Sequence, residues 1–338
     1  MIITSMTTRT NPFECIYKKC NRGHSKEKLK NLMEFPAMID IELTNKCNFK
    51  CLMCPTGTHM QKRHKGFMER STFDKILNQT KDYKTPFRFI RWGEPLLHND
   101  IIDFIQKAKD RGHISHLNTN GSLLDEDMVS ALLDIPLDSI KFSFQGVDKK
   151  SYHEMRNIDF FNELVQKIKH FFLQRAKKEL PFIDVSTTIT YENKDQVEKF
   201  IEKVKPFTDH LTIGRTVLEH IDLNQVATSP KDKEAITILK EKESVVKKHP
   251  ECPEVFDKLS INWDGSVSAC CADFDNLMTV GHINQDDLKT IWHSKKMHAY
   301  RVLLADMKHD KLKLCKTCYD YHGLENPELQ KLNSGVFK

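Results

Sequence analysis

Short apolar runs alternate with amphipathic stretches through the middle of the chain. Six of the runs have the length and composition of β-strands, at residues 37–43, 87–92, 113–118, 137–144, 182–190 and 210–215. Between them, apolar residues recur at helical spacing over residues 71–81, 99–111, 125–133, 161–178 and 194–205. This alternation is typical of an α/β fold with a mostly parallel sheet. Because eight such units close a TIM barrel, six predict an open, partial (β/α)6 TIM barrel over residues 36–217.

The pattern changes on both sides of the predicted barrel. Residues 1–35 are polar, basic and weakly patterned, which predicts an N-terminal extension with one short helix. Residues 218–251 are highly charged, and we expect them to form a helical connector on the surface. Beyond them, "KLSINWDGSVSACC" predicts two short strands around an Asp-Gly turn, and a helical stretch follows. We therefore expect a small β-hairpin plus helix domain over residues 252–320, followed by a tail over residues 321–338.

Composition and charge narrow the class of protein. Of the 338 residues, 29% are charged and 39% are apolar, which is typical of a soluble globular protein. No apolar run is long enough to cross a bilayer, and the first residues lack the pattern of a secretory signal, so we expect a cytoplasmic protein with no membrane segment. The net charge of +5 is small, and the basic stretches lack interleaved aromatic residues, so we expect no nucleic-acid partner.

Ten cysteines without a secretory signal indicate a reducing compartment, where thiols bind metals or carry out redox chemistry. They fall into two groups separated by nearly 200 residues without cysteine. The first group is Cys15, Cys20, Cys47, Cys51 and Cys54. The second group is Cys252, Cys270, Cys271, Cys315 and Cys318. This distribution predicts two separate sites, with Cys15 and Cys20 outside them as free thiols.

The first site has the spacing C-x3-C-x2-C, from Cys47 through Cys51 to Cys54, directly after the first predicted strand. Parallel α/β folds place their chemistry at the carboxyl ends of the strands. Three thiolates hold three irons of a [4Fe–4S] cluster and leave the fourth open to another ligand. The alternative is a closed structural zinc site, for which His59 or His64 would supply the fourth ligand.

The segment "CNFKCLMC" resembles the cluster loop of the radical S-adenosylmethionine (SAM) superfamily, C-x3-C-x-φ-C, with Met53 where an aromatic residue usually stands. Similarly, "RWGEP" resembles the GGEP element of that superfamily, with Trp92 in place of its first glycine. The resemblance implies that Gly93 supplies permissive backbone dihedrals and that Glu94, followed by Pro95, supplies charge near the SAM ammonium group.

Two further segments extend the resemblance along the chain. "LNTNG", which contains Asn120, resembles the third-strand segment beside the cofactor. "KFSFQG" and "SYHEMRN" resemble the fourth-strand region, which implies that Ser143, Gln145 and Arg156 contact the ribose or carboxylate of SAM. Taken singly, each of these segments is also compatible with an ordinary turn or surface helix. Together they imply that SAM is the missing ligand and that a flavodoxin or ferredoxin reduces the cluster, which cleaves SAM to methionine and a 5′-deoxyadenosyl radical.

The second site follows the pattern C-x12-G-x4-C…C-x2-C, from Cys252 to Cys318. A zinc ribbon is one interpretation of four cysteines beside a hairpin. The spacing also resembles the SPASM/twitch extension of radical SAM enzymes, and because no cysteine follows the C-x2-C pair, it resembles the shorter twitch form. That resemblance implies one auxiliary [4Fe–4S] cluster, with four ligands: Cys252, Cys270, Cys315 and Cys318.

Cys271 is left over from this set. It is a swapped cluster ligand, a small buried apolar residue, or a thiol that donates a hydrogen atom to the substrate. These alternatives matter for the reaction, since a donor thiol favours epimerisation and its absence favours dehydrogenation.

Radical SAM enzymes with a twitch cluster include dehydrogenases and epimerases of aminoglycoside and sugar biosynthesis. The resemblance therefore implies hydrogen abstraction from a carbinol carbon of a small polar sugar or aminocyclitol-like substrate. The first alternative is modification of a ribosomal peptide or protein, although the N-terminal extension is too short for the leader-recognition domain that such enzymes often carry. An alternative of another class is a non-catalytic metal-binding or electron-transfer protein.

Overall fold

The computed structural model describes residues 2–5, 9–20, 23–176, 178–216 and 251–318, the short segments 244–247 and 322–325, and isolated positions between 224 and 237. Most of the predicted connector and the tail beyond residue 325 therefore lie outside the described residues. Twelve described strands are β1 Ile2–Ser5, β2 Met38–Ile41, β3 Phe87–Phe89, β4 Ser115–Thr119, β5 Ser139–Ser143, β6 Phe182–Ile189, β7 His210–Arg215, β8 Ser244–Lys247, β9 Lys258–Ile261, β10 Ser266–Ser268, β11 Thr279–His282 and β12 His322–Glu325.

Ten of these strands form one sheet, in the order β1-β7-β6-β5-β4-β3-β2-β9-β10-β11. Strands β2 to β7 are neighbours in chain order and all pair in parallel. The two ends of the sheet, β1 and β11, do not pair with each other, so the barrel is open. The predicted partial barrel of six parallel strands is confirmed. Strands β8 and β12 pair separately in an antiparallel ribbon.

Helices connect the strands. They are α1 Glu14–Lys19, α2 Ser25–Lys30, α3 Arg70–Thr80, α4 Ile101–Asp110, α5 Glu126–Asp134, α6 Lys149–Arg156, α7 Phe161–Arg175, α8 Lys194–Val204, α9 Glu254–Asp257, α10 Leu288–Trp292 and α11 Lys295–Ala305. The sequence pattern did not predict α6, which is short and largely polar. Its start is fixed by a capping box between Asp148 and Ser151, and it ends at Asn157 in the left-handed conformation. No helix among the described ranges is long and apolar enough to cross a membrane.

Side chains alternate between the two faces of the barrel sheet. One set of apolar side chains, including Ile39, Phe87 and Leu117, packs with the helices in the main core. The opposite set is polar and forms the inner face. On it, Arg88 makes a bidentate ion pair with Asp40 at 2.6 and 2.7 Å. The barrel interior is therefore lined by fixed charges rather than by aliphatic side chains.

The inner face continues along β4 to β7. Lys141 lies 3.0 Å from Asp184, and Nδ1 of His210 lies 2.9 Å from the other oxygen of that carboxylate. His116 contacts the hydroxyl of Ser139, and burial lowers the pKa of His116 to about 3, which keeps the imidazole neutral. These pairs satisfy the buried charges within the barrel.

The N-terminal region is built into the barrel more fully than the sequence suggested. It contributes an edge strand, since β1 pairs antiparallel with β7, and two helices instead of one. Phe13 and Ile16 pack with Met38 in a small separate core, and the Phe13 ring meets the His116 ring edge-on at 5.6 Å. Half-buried Cys20 packs against this core. Residues 13–20 thus cover one end of the barrel.

The predicted C-terminal hairpin is confirmed. Strands β9 and β10 pair antiparallel around a turn that places Gly265 at φ 87°, a conformation that glycine adopts without strain. Strand β9 also pairs in parallel with β2, so the barrel sheet continues into this region. The predicted helical stretch is broken into α10 and α11, because Ser294 caps the second helix by accepting a hydrogen bond from the Met297 amide.

Candidate functional site

A cavity lies at the carboxyl ends of β2 to β5. Its walls are formed by the loop after β2, which carries the three cysteines, and by the ends of the next three strands. The lining residues are Cys47, Phe49, Cys51, Met53, Cys54, Thr56, Gly57, Arg91, Trp92, Gly93, Glu94, Asn118, Thr119, Asn120, Ser143, Gln145 and Arg156. The structure therefore brings together every residue predicted for the first site except Pro95. That proline is buried and begins a 3₁₀ turn, Pro95–Leu97.

The loop with the three cysteines is held by backbone contacts. The Leu52 amide donates to the Met155 carbonyl at the end of α6, at 2.8 Å. A Cβ atom on Gly57 would lie 2.2 Å from the Cys51 carbonyl oxygen, so only glycine allows the loop to fold back there. The Asn120 side-chain amide donates to Asn48 Oδ1 at 2.9 Å and ties the loop to β4.

The three thiols of Cys47, Cys51 and Cys54 share this cavity. Burial raises the pKa of Cys47 to about 12 and also raises the pKa of Cys54. Among the described residues, no three His, Cys, Asp or Glu side chains are already arranged around a metal position. Thiolate is the donor that iron–sulfur clusters use, and three thiols on one cavity wall fit an open cluster. His59 and His64 are both exposed and neither lines the cavity, which disfavours the closed zinc site.

Gly93 and Glu94 connect β3 to its neighbours. A Cβ atom on Gly93 would lie 2.1 Å from the Thr44 carbonyl oxygen, while its φ is outside the left-handed region. The glycine is therefore required by close packing, not by permissive dihedrals as the sequence suggested. The Glu94 amide donates to the Lys46 carbonyl at 2.9 Å, immediately before Cys47.

The Glu94 carboxylate is buried and serves the protein itself. It accepts hydrogen bonds from the Thr119 hydroxyl at 2.8 Å, the Asn120 amide at 2.8 Å and the Leu96 amide at 3.1 Å. Burial raises the pKa of Glu94, and these three donors oppose that rise. In this structure Glu94 orients the end of β4.

Ser143, Gln145 and Arg156 lie at or beyond the end of β5. Arg156 Nη1 lies 3.4 Å from Cys51 Sγ, and its Nη2 donates to the Ser143 carbonyl. The Gln145 side-chain amide instead bonds to Thr216 and Thr188, which leaves it little capacity for a ligand. Arg156 and Ser143 thus remain the better candidates for SAM contacts.

Several cavity residues escaped the sequence prediction, among them Asn118, Trp92 and Thr56. Asn118 Oδ1 and Trp92 Nε1 are buried polar atoms with no hydrogen-bond partner in the described part of the chain, and both residues line the cavity. Thr56 donates to the Trp92 carbonyl at 2.5 Å and so fixes the strand end against the loop. Strand alternation could have found Asn118, because it shares the inner face with His116. No local sequence pattern identifies Thr56 as a cavity residue.

The second set of cysteines lies beside β9 and β10. Burial raises the pKa of Cys252 well above its ordinary value, and the charges of Glu254, Cys315 and Cys318 add to the rise. Burial likewise raises the pKa of Cys315 to about 12. Cys270 couples electrostatically to Cys252. Cys315 is buried and the other three cysteines are half-buried. A set of four thiols fits a closed iron–sulfur site, with Cys315 on a 3₁₀ turn, Cys315–Thr317.

Cys271 points elsewhere. Its thiol contacts Cys270 and lies near Glu254. The charge of Asp40, on the inner face of the barrel, raises the pKa of this thiol. Arg88, the partner of Asp40, couples to the same thiol. Cys271 therefore contacts Cys270 and is on the barrel side of its loop, near Asp40 and Arg88.

Two family models match the chain. The radical SAM superfamily model matches residues 41–204, and the SPASM model, described as an iron–sulfur cluster-binding domain, matches residues 252–319. The chain therefore carries a radical SAM domain followed by a SPASM domain. These domains imply a [4Fe–4S] cluster that binds SAM and auxiliary iron–sulfur binding at the C-terminal cysteines.

Curated relatives cover the chain to different extents. The cofactor-modifying protein of the tungsten-containing aldehyde ferredoxin oxidoreductase of Pyrococcus furiosus is 27% identical over 161 residues, which is 46% of this chain and 45% of that protein. The SAM-dependent 2-deoxy-scyllo-inosamine dehydrogenase of Niallia circulans is 20% identical over 299 residues, 83% of this chain and 92% of that protein. The chain spans about half the length of several other curated relatives that it matches.

Solved structures share the fold. BtrN in complex with AdoMet and 2-DOIA superposes with a TM-score of 0.56 at 18% identity, covering 84% of this chain and 93% of BtrN. Streptococcus suis SuiB bound to its precursor peptide SuiA gives a TM-score of 0.61 at 15% identity, covering 88% of this chain and 74% of SuiB.

Proposed function

We propose that this enzyme abstracts a hydrogen atom from a carbinol carbon of a small polar substrate, such as a sugar or an aminocyclitol. The observation that carries the proposal is the polar inner face of the barrel, next to the cavity with the three cysteines. Ion pairs such as Asp40–Arg88 and Lys141–Asp184 line that face. Fixed charges and hydroxyls can bond to a substrate rich in hydroxyl and amino groups, whereas an apolar substrate would desolvate them. Similarity to the Niallia circulans dehydrogenase over most of both chains supports the same substrate class.

The cysteines divide into two ligand sets in this proposal. Cys47, Cys51 and Cys54 hold the open cluster, and four C-terminal thiols hold a single closed auxiliary cluster: Cys252, Cys270, Cys315 and Cys318. When bound, the open cluster and SAM supply a 5′-deoxyadenosyl radical, and the auxiliary cluster supplies an electron acceptor. A flavodoxin or ferredoxin of a reducing cytoplasm is the electron donor.

The chain's own residues orient the reactants. Gly93 brings the end of β3 against residues 44–46, and Glu94 fixes the end of β4, so the cavity is built before any ligand arrives. Arg156 and Ser143 face the SAM position beside Cys51. Asn118 and Trp92 each offer a buried, unpartnered polar atom to SAM or to substrate.

Cys271 decides between two outcomes after the substrate carbon has lost its hydrogen atom. Loss of a proton and one electron from the substrate radical gives a ketone. Transfer of a hydrogen atom from the Cys271 S–H to the opposite face gives an epimer, and the resulting thiyl regains an electron from the reductant and a proton from solvent. The position of Cys271 on the barrel side of its loop supports epimerisation.

A ribosomal peptide or protein is the second candidate substrate, supported by the shared fold with SuiB. Similarity to the Niallia circulans dehydrogenase over 92% of that protein favours the small substrate.

The test is turnover by the anaerobically reconstituted enzyme with SAM, a reduced flavodoxin, and panels of aminocyclitols, sugars and precursor peptides. We expect 5′-deoxyadenosine and a modified aminocyclitol or sugar. In deuterated water an epimerase incorporates one deuterium per product, and Cys271→Ala converts the reaction to ketone formation or abolishes it. A modified peptide with no small-molecule product would overturn the proposal.

A further inference from the structure

Two arginines of the radical SAM domain hold the loop that carries Cys270 and Cys271. Arg91, on the cavity wall, donates to the carbonyl oxygens of Cys270 at 3.2 Å and Asp273 at 2.7 Å. Arg63, in the segment after the cysteine loop, donates to the carbonyl oxygen of Phe274 at 2.9 Å. The carbonyl groups of three loop residues, Cys270, Asp273 and Phe274, are therefore bonded to side chains of the radical SAM domain.

A single carboxylate connects the two arginines. Arg63 forms a bidentate pair with Glu42, with distances of 2.7 and 2.8 Å, and Arg91 Nε lies 3.9 Å from the same carboxylate. The side chains of Glu42 and Arg91 are 0% exposed and that of Arg63 is 6% exposed. Buried ion pairs of this geometry are sensitive to the loss of either partner, because the remaining charge is left uncompensated.

The loop is also rigid within itself. The Asp273 carboxylate is fully buried and accepts hydrogen bonds from the Ser268 hydroxyl at 2.7 Å and from the amides of Leu277 and Met278 at 2.8 Å. Because the loop is braced on Asp273, a shift at its arginine contacts would move Cys270 and Cys271 with it.

We propose that Glu42, Arg63 and Arg91 form a positioning unit that fixes the auxiliary-cluster loop, and with it Cys271, relative to the SAM cavity. Arg91 follows β3 and lines the SAM cavity. The unit therefore joins the cavity wall to the loop that carries Cys270, a cluster ligand, and Cys271, the candidate donor thiol. None of the three residues reacts with substrate in this role. The inference deepens the proposed function, but it depends only on where Cys271 is held and not on which substrate is used.

The first variant is Arg63→Lys, because Arg63 does not line the SAM cavity. Lysine keeps the charge beside Glu42 but cannot make both the bidentate pair and the Phe274 contact. The matched control is Arg301→Lys. Arg301 is also buried and donates to two carbonyls, those of Val255 and Trp292, at 2.8 and 2.7 Å, and neither carbonyl belongs to the loop.

The direct readout is the rate at which iodoacetamide alkylates Cys271 in the reconstituted holoenzyme, measured by mass spectrometry of the peptide. We expect about tenfold faster alkylation in Arg63→Lys than in the wild type, because losing charge-assisted hydrogen bonds favours local opening of the loop. Arg301→Lys should match the wild type. We also expect the ratio of 5′-deoxyadenosine to product to rise in Arg63→Lys alone.

Equal alkylation rates and equal ratios in Arg63→Lys and the wild type would overturn the proposal. If Arg63→Lys loses iron or its cooperative thermal transition, Arg91→Lys is measured in the same way, and wild-type behaviour there overturns it equally. Failure of the proposed function looks different: the wild type would then turn over no small-molecule substrate, while the alkylation difference between Arg63→Lys and Arg301→Lys would persist.

Discussion

Arg156 Nη1 lies 3.4 Å from Sγ of Cys51, while the same guanidinium bonds to the carbonyl of Ser143. One side chain at the end of α6 thereby joins a cluster ligand to the end of β5. The Met155 carbonyl, one residue earlier, accepts from the Leu52 amide in the cysteine loop. The end of α6 thus supports the loop through both side chain and backbone.

Replacing Arg156 with alanine should weaken the first site. The change removes two hydrogen bonds from a charged group and leaves the Ser143 carbonyl without that donor, so we expect at least about a tenfold loss of SAM cleavage. The rate of 5′-deoxyadenosine formation at saturating reductant measures this. Arg70→Ala is the control, because Arg70 is exposed and pairs with Asp100 and Asp103 on the surface. Equal losses in both variants would show that Arg156 has no special role.

A methyl group at Gly93 should distort the join between β3 and residues 44–46. Because the added Cβ would meet the Thr44 carbonyl at 2.1 Å, we expect Gly93→Ala to lower the free energy of unfolding by about 1–3 kcal/mol and to reduce SAM cleavage. Gly214→Ala is a matched control, since a Cβ there meets only Thr188 Cγ2 at 3.5 Å, an ordinary contact. Urea unfolding of both variants provides the comparison, and identical midpoints would contradict the packing argument.

The second site can be removed separately. Changing Cys315 and Cys318 to alanine should lower the iron content by about four atoms per chain and leave about four in the first site. We expect SAM cleavage to continue while substrate turnover is lost, because only the auxiliary site is gone. Metal analysis by plasma emission, together with product analysis, measures both effects. If the wild type instead contains zinc and only about four iron atoms per chain, the second site is a zinc ribbon.

Glu192 should make stability depend on pH. Burial raises the pKa of Glu192 to about 7, above its ordinary value of 4.5. The folded state therefore binds the proton more tightly than the unfolded state, and the stability from this group is present below pH 4.5 and is lost as pH rises through about 7. We expect Glu192→Gln to reduce the fall in the free energy of unfolding between pH 5 and pH 8 by up to about 3 kcal/mol. Chemical denaturation across that range tests it, and parallel curves for the two proteins would contradict it.

The spacing of apolar residues predicted the barrel well, because each strand and most helices have a recognisable periodicity within their own sequence. Strand β7 has the predicted bounds, and β6 is one residue shorter than predicted. The helix α6 was missed because its start depends on a cap between Asp148 and Ser151, while its sequence is polar on most sides. The motif residues around the first site were found, but the reason for Gly93 was wrong, since the approach of Thr44 comes from a distant segment.

The contacts that join the two sites had no local signal. Glu42 and Arg63 are separated by 21 residues, and Arg91 and Cys270 by 179, so their pairing follows from the assembled sheet. The polar inner face of the barrel was missed for the same reason, since Asp40 and Arg88 meet only when β2 and β3 pair. Gln145 looked available from its motif, but its partners Thr188 and Thr216 come from β6 and from the end of β7.

The most direct test of the first cluster site compares the wild type with a variant in which Cys47, Cys51 and Cys54 are alanine. Both proteins are reconstituted anaerobically with iron and sulfide. Iron content and 5′-deoxyadenosine formation from SAM are measured on the same samples. We predict about eight iron atoms per chain and SAM cleavage in the wild type, against about four iron atoms and no cleavage in the variant. Equal iron content and equal cleavage in the two proteins would contradict the assignment of these three cysteines to the SAM-binding cluster.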